Sequence, residues 1–378
     1  MAKILIAGDY CPHHRVADML SKNDFSFFDN VRDVVSQVDY SIVNFECPVV
    51  VGNVNPIKKT GPALRTIPAA VDALKYAGFD CVTLANNHFR DFGDDGCSST
   101  IKTLTDSHID FVGGGYNIKE AQTILYKIIN GKKIAIVNFC ENEFSIATEV
   151  RAGAAPMDAV DNYNQITEAR RNADYVIVIV HGGHEHYQLP SPRMKKLYRH
   201  YITIGADAVV NHHQHCYSGY EYFNGKPILY GLGNFCFDWK DETSIWEEGF
   251  MVNISFDNEK IDIELIPYNQ GREIPAVILK KENSLKDFYS RILSLNTIIE
   301  DDTLLKESFA KWCSKRSNTV NNIFNSYNNR YLNAAANRGW IRRPASHRDI
   351  SAAYNYIICE AHRDITLNVL FNEFGDNE

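Results

Sequence analysis

YVIVIVHGGHEHY, residues 175–187, carries the clearest fold signal in the chain. Its first six residues are apolar and mostly β-branched, as in a strand buried on both faces. That run ends in a glycine-loosened turn carrying His181, His184, Glu185 and His186. The same design recurs on either side. KILIA leads to Gly8-Asp9, and YSIVN to Asn44-Phe45-Glu46. DCVTLA leads to Asn86-Asn87-His88, and DAVVN to His212-His213-Gln214-His215. Parallel strands deliver their carboxyl ends to one crevice, where open α/β sheets place their sites. One such end is ordinary, but five in order point to a shared metal site.

Composition bounds the rest. The chain has 378 residues, enough for a large domain with an appendage or for two domains. Hydrophobic content is 45% and charged content 23%, as in ordinary globular proteins. The formal net charge of -8 argues against a nucleic-acid backbone as the main partner, because such binding needs a concentrated basic face. It leaves anionic small substrates open, since a metal cluster overrides the global sign locally. Nine cysteines, an odd count without a C-x-x-C pair, fit a reducing compartment. Met1 runs straight into the first strand with no signal-like segment, and no apolar run approaches the ~20 residues of a membrane span. The expectation is a cytoplasmic protein.

Strands and amphipathic helices alternate to about residue 240. Pro68 to Ala77, closed by Gly78, reads as a helix, as do Gly96–Ser107, Ala159–Asn172 and Arg193–Ile204. Asn130-Gly131 and Asn224-Gly225 mark hairpin turns. Between Cys47 and Pro68 lies a Pro- and Gly-rich loop that holds Lys58, Lys59 and Arg65. Beyond Arg272 the periodicity turns helical. The expected organisation is an α/β domain over residues 1–272 and a helical region over 273–378, docked on the core or forming a small domain, with no internal repeats.

The candidate residues have bland readings beside the functional ones. Asp9 is a metal ligand or a turn cap. Glu46 is a ligand or a loop acid, with Asn44 on the same strand face. An asparagine of Asn86-Asn87 can ligate through its carbonyl oxygen, and His88 can give a proton to a leaving group. Asp91 is placed to orient the His88 ring. An Asn-rich turn is the plain alternative for this stretch. His181 is the preferred ligand of its turn, being nearest the strand end. Glu185 is a ligand or an acid/base, and His184 and His186 are solvated turn residues. His213 and His215 alternate, so they share one face as a ligand pair in extended chain. Arg15, beside His13 and His14, and Arg65 are the candidates to hold anionic substrate groups.

Taken together, IAGD, DYSIVNFECPV, ALKYAGFDCVTLANNHFRDFGDDG, HGGHEHY, GADAVVNHHQH and KPILYGLGNFCFD resemble the CapA family. These are the capsule or poly-γ-glutamate biosynthesis proteins of the calcineurin-like metallophosphoesterase superfamily. The resemblance runs from residue 3 to about 238. It implies a four-layer α/β/β/α sandwich with a site for two divalent ions (Mn, Fe or Zn); the helical C-terminal region, read from periodicity, lies outside it. In that scheme Asp9, Glu46, Asn87, His181, His213 and His215 are ligands, Glu46 bridges, and His88 is the general acid. At the first strand the superfamily's D-x-H has Cys11 in place of histidine. The family's H-W-G-x-E keeps Glu185 but loses its tryptophan.

Two functions follow from the resemblance. One is a metal-dependent hydrolase acting on a phosphoester or on a cell-surface polymer or its precursor. The other is a non-hydrolytic accessory protein that binds a polymer end and contacts synthesis machinery through the C-terminal helices. The expected partners are an anionic small molecule or polymer precursor and a protein partner, with no nucleic acid and no membrane span.

Overall fold

A computed structural model describes residues 1–239, 245–257, 260–271 and 273–374. The chain divides into two compact units, Met1–Leu305 and Lys306–Glu378.

The first unit is built on two mixed sheets. One runs in the order Val277–Leu279, Ile261–Gln270, Glu248–Phe256, Ala2–Tyr10, Tyr40–Phe45, Cys81–Thr83, Asp110–Val112, and Asn234–Cys236 also pairs with Ala2–Tyr10. The other runs Tyr220–Phe223, Lys226–Leu229, Ala208–His212, Tyr175–His181, Lys132–Cys140, Leu125–Ile129. The four strands from Ala2–Tyr10 to Asp110–Val112 are parallel to one another. So are Lys132–Cys140, Tyr175–His181, Ala208–His212 and Lys226–Leu229. Parallel neighbours need crossover helices, and these cover the outer faces. Val71 and Leu74 of helix Ala69–Ala77 and Ile101 and Leu104 of helix Gly93–Asp106 join one core layer with Leu5, Val43 and Val82. Helices Ala159–Asn172 and Pro192–Ile204 cover the second sheet. There Tyr198 stacks on Tyr230, and Tyr201 meets Phe139 edge-on.

Between the sheets, Ile4, Ile6 and Ile42 face Ile136, Ile177 and Ile179 in a second apolar layer. The period-2 alternation of each strand thus feeds two cores, one on each side of the first sheet. The result is the four-layer α/β/β/α sandwich, with all five of the strand ends singled out in the sequence on one edge.

Local signals fold as their chemistry dictates. Both hairpin turns place their Asn and Gly at positive φ: Asn130 at 49° with Gly131 at 75°, and Asn224 at 52° with Gly225 at 73°. Helix Ala69–Ala77 ends on Gly78 at φ 95°. The turn between Glu248–Phe256 and Ile261–Gln270, expected across Asp257-Asn258, falls partly outside the described residues, but the two strands pair in register.

The first unit extends past the expected boundary at residue 272. It takes in helix Asn283–Glu300, whose Phe288 and Ile292 are buried in the inter-sheet core. The Arg291 Nε donates to the Tyr217 hydroxyl at 2.7 Å, and Asn296 Oδ1 accepts from the Tyr220 amide at 2.8 Å. The second unit is helical: Ser317–Phe324, Arg330–Asn337, His347–Ile358 and Glu360–Phe374. Within it, Arg343 donates to the side chains of Asn318 and Asn337. Ser346 and Asp349 form a capping box at the start of His347–Ile358. Among the described residues no helix is long and apolar enough to cross a membrane.

Candidate metal centre

The strand ends bring Asp9, Glu46, Asn87, His181, His213 and His215 into one buried cluster. Asp9 closes the first strand after a register shift between Ala7 and Asp9. The residue between them must be glycine, because a Cβ on Gly8 would sit 1.9 Å from the Gly233 carbonyl oxygen. Asn44, the cross-strand partner of Asp9, donates its amide to Asp9 Oδ1 at 2.7 Å. Its own Oδ1 accepts from Thr83 Oγ1 at 3.0 Å. Three adjacent parallel strands therefore set the aspartate's orientation.

Glu46 follows the second strand and is fully buried, and neither carboxylate oxygen has a hydrogen-bond partner. Its Oε1 lies 3.6 Å from His181 Nε2 and 3.6 Å from His215 Nε2. Two donor sets follow, Glu46–His181–His213 and Asp9–Glu46–His215, each with atoms within 4.8 Å of one another. Glu46 belongs to both. Asn87 Oδ1 sits 3.1 Å from His181 Nε2, beside the first set.

Backbone and outer contacts hold the imidazoles. His213 and His215 have φ of 92° and 54°, left-handed values that cost a non-glycine residue on the order of 1–3 kcal/mol. The His213 amide donates to Asp9 Oδ2 at 3.3 Å, which ties that conformation to the cluster. His215 Nδ1 is 2.9 Å from Asn234 Oδ1. An amide oxygen only accepts, so Nδ1 carries the proton and Nε2 keeps its lone pair toward Glu46.

Beside the cluster, His88 Nδ1 is 2.7 Å from Asp91 Oδ2. Asp91 also accepts from the Leu64 amide at 2.7 Å and from the Lys59 ammonium. These contacts, with the Ile57 amide on the Asp91 carbonyl at 2.9 Å, pin the Cys47–Pro68 loop against the His88–Asp91 pair.

Electrostatics mark the cluster as short of positive charge. Burial, then the charge of Asp9, pushes the Glu46 carboxyl well above the ordinary range. Burial also raises Asp9, but His212, His215 and the Asn44 amide outweigh it and hold it low. His212 Nδ1 stands 3.4 Å from Asp9 Oδ1. Burial and neighbouring imidazoles depress His181 strongly and bring His213 down to about 4; burial likewise lowers His215. Neutral imidazoles around an unpartnered buried carboxyl are donors in need of a cation. The residues present therefore fit divalent metal.

The remaining candidates lie outside the cluster. Glu185 is exposed at its rim, where its charge acts on Glu46, His213 and His215. Arg15 does not join it. Its guanidinium is taken up by Asp238, at 2.9 Å from Nε and 2.6 Å from Nη2, and by the carbonyls of Gly271 and Glu273. Arg65 is exposed and lies over the Phe92 ring, 5.7 Å from its centre. Cys11 is buried, burial together with Cys47 pushes its thiol well up, and it belongs to neither donor set.

Four participants carried no assignment in the sequence. Glu143, 3.9 Å from His213 Nε2, follows the strand KKIAIVNFC and so obeys the same strand-end rule. Asn234 sits in the quoted stretch YGLGNF, yet only the fold shows that it faces His215. Lys59 and His212 were visible as residues, but their partners are distant or depend on backbone turn geometry.

Residues 3–239 match the sequence model of a family described as bacterial capsule synthesis protein PGA_cap. The Bacillus anthracis "Capsule biosynthesis protein CapA" is 31% identical over 273 residues, 70% of this chain and 66% of that protein. The Bacillus subtilis (strain 168) "PGA biosynthesis protein CapA" is 34% identical over 216 residues, 56% of this chain and 57% of that one. A Mycobacterium tuberculosis relative, "Probable polyglutamine synthesis accessory protein", is 29% identical over 189 residues, 47% of this chain and 50% of its own. The matches thus span less than two thirds of these relatives. Among solved structures, a 5'-nucleotidase precursor from Thermus thermophilus aligns with TM-score 0.41 and 11% identity over 78% of this chain and 59% of its own.

Proposed function

This chain belongs to the bacterial capsule synthesis protein PGA_cap family, and we propose that it is a metal-dependent hydrolase of phosphoester type serving capsule, poly-γ-glutamate or related cell-surface polymer synthesis. The observation that carries this is the pair of buried donor sets sharing Glu46, set beside the His88–Asp91 pair. The mix of imidazole and carboxylate donors suits Mn, Fe or Zn. Two divalent ions held there would supply Lewis acidity to a phosphoryl oxygen and acidify water.

The chain's own residues do the rest. Asp91 accepts a hydrogen bond from His88 Nδ1–H, which orients the ring so that, when both its nitrogens are protonated, it gives the Nε2 proton to the departing oxygen and ends as the neutral Nδ1–H imidazole. Lys59 steadies the second Asp91 oxygen, so the carboxylate cannot rotate away. Asn234 fixes the tautomer of His215, and Asn44 fixes Asp9. The substrate is anionic, a polymer precursor or a related small phosphoester. We place the protein in the cytoplasm on the strength of its buried free cysteines, Cys11, Cys47, Cys81, Cys97, Cys140, Cys216 and Cys236.

The second reading is an accessory protein that binds rather than cleaves. It is favoured by Cys11, which stands where the superfamily carries histidine and belongs to neither donor set. The test is metal-reconstituted protein assayed with bis(p-nitrophenyl) phosphate and p-nitrophenyl phosphate. Hydrolysis that His213→Ala abolishes and His88→Ala lowers by about 10²–10⁴-fold supports the hydrolase. Metal binding without any turnover supports the accessory role.

A further inference from the structure

The chain's acidic balance conceals a strongly basic segment. Residues 308–348 contain eight Lys or Arg and no Asp or Glu, so a segment at +8 in a chain at -8 leaves -16 on the rest. This segment lies within the helical second unit. It also exposes large apolar side chains. Val320, Ile323 and Phe324 share one face of helix Ser317–Phe324 by their spacing, and all three are exposed. Ile323 is 69% exposed, Tyr331 69% and Trp340 73%. Arginines accompany the aromatics: Arg316 lies 3.5 Å from the centre of the Trp312 ring, and Arg338 5.3 Å from that of Trp340.

We propose that this segment binds the surface of an anionic lipid bilayer. A cluster of Lys and Arg without acids is attracted to anionic headgroups. Exposed Ile, Val, Phe and Trp in the same segment as those cations gain by entering the boundary between headgroups and acyl chains. A soluble polyanion such as nucleic acid or a polyglutamate chain satisfies the cations but offers the aliphatic side chains no apolar phase. The apolar exposure therefore favours lipid. Surface attachment of this kind needs no membrane-crossing helix, and it does not depend on whether the metal centre hydrolyses anything.

The test is co-sedimentation of the full-length protein with large vesicles of phosphatidylcholine alone or with about 30% phosphatidylglycerol. Binding is expected only with phosphatidylglycerol, and it should weaken as salt rises from about 50 to 300 mM. Arg342 and Arg348 are both exposed. Arg342→Glu with Arg348→Glu should weaken binding by at least about tenfold, and Arg342→Lys with Arg348→Lys should restore it. Trp340→Ser should weaken it as well, with circular dichroism and Tm unchanged in each variant. Absent binding at low salt, equal binding to neutral vesicles, or charge-reversed protein that is folded and binds unchanged would each overturn the proposal. So would tighter binding to a DNA duplex or soluble polyglutamate than to the anionic vesicles.

Discussion

Glu46→Gln should separate metal binding from folding. In the metal-free protein at pH 7 the Glu46 side chain either takes up a proton against its solution preference or stays charged without a partner. The penalty is bounded by the distance from its ordinary pKa of 4.5 to pH 7, at most about 3 kcal/mol. Glutamine has nearly the same shape and no charge, so the metal-free variant should be more stable than wild type by up to that amount. For a unit of 305 residues, the usual unfolding entropy converts 3 kcal/mol to a Tm rise of about 5 °C. The sign follows from the raised pKa: the penalty is small near pH 4.5 and grows as pH rises, so the variant's advantage should shrink at about pH 5. Metal should act the other way. Wild type at about 1,000 times Kd gains about 4 kcal/mol, or about 6 °C. The variant, having lost the shared ligand of both donor sets, should gain under about 2 °C. Differential scanning calorimetry with EDTA and then excess Mn reads both quantities. A metal-free Glu46→Gln protein melting several degrees below wild type, or one keeping the full metal shift, would refute this.

Asn234→Ala should free His215 to change tautomer and lower metal affinity by about 10–100-fold, measured by calorimetric titration, with the fold retained. Lys59→Met should leave metal content unchanged and lower kcat by roughly 10–100-fold, because the Asp91–His88 pair loses its anchor to the loop; an unaltered kcat would count against that positioning role. Metal-free Glu46→Gln protein should lose stability as pH falls from about 6.5 toward about 4, since unfolded His213 takes up a proton in that window and the folded residue does not. Adding His213→Ala should make the profile shallower, leaving the slope due to His181 and His215, as followed by urea denaturation at each pH.

The strand-end residues were legible because a buried parallel strand announces itself by composition and its carboxyl end has a fixed destination. Asp9, Glu46, His181, His213 and His215 stood out as candidates on that basis, while the choice of Asn87 over Asn86 came with the resemblance to the CapA family. What escaped was set by long-range contact. Arg15 looked available until Asp238, 223 positions away, came to lie against it. Asn234 gained its purpose only when its strand paired with Ala2–Tyr10 at Asp9. Helix Asn283–Glu300 has the same periodicity as the helices after it, and periodicity does not say which surface receives Phe288 and Ile292. The basic run 308–348 was open to inspection, but the net charge of the whole chain averaged it away. Glu143 obeys the strand-end rule and escapes notice because its strand reads first as half of a hairpin.

A Glu46 carboxylate shared between two metal positions is visible by anomalous diffraction at the Mn edge from crystals soaked with excess Mn. Two peaks are predicted, one bonded by Asp9, Glu46 and His215 and the other by Glu46, His181 and His213. A map with no peak in the cluster, or with a single ion that leaves the Glu46 carboxylate uncoordinated, would contradict it.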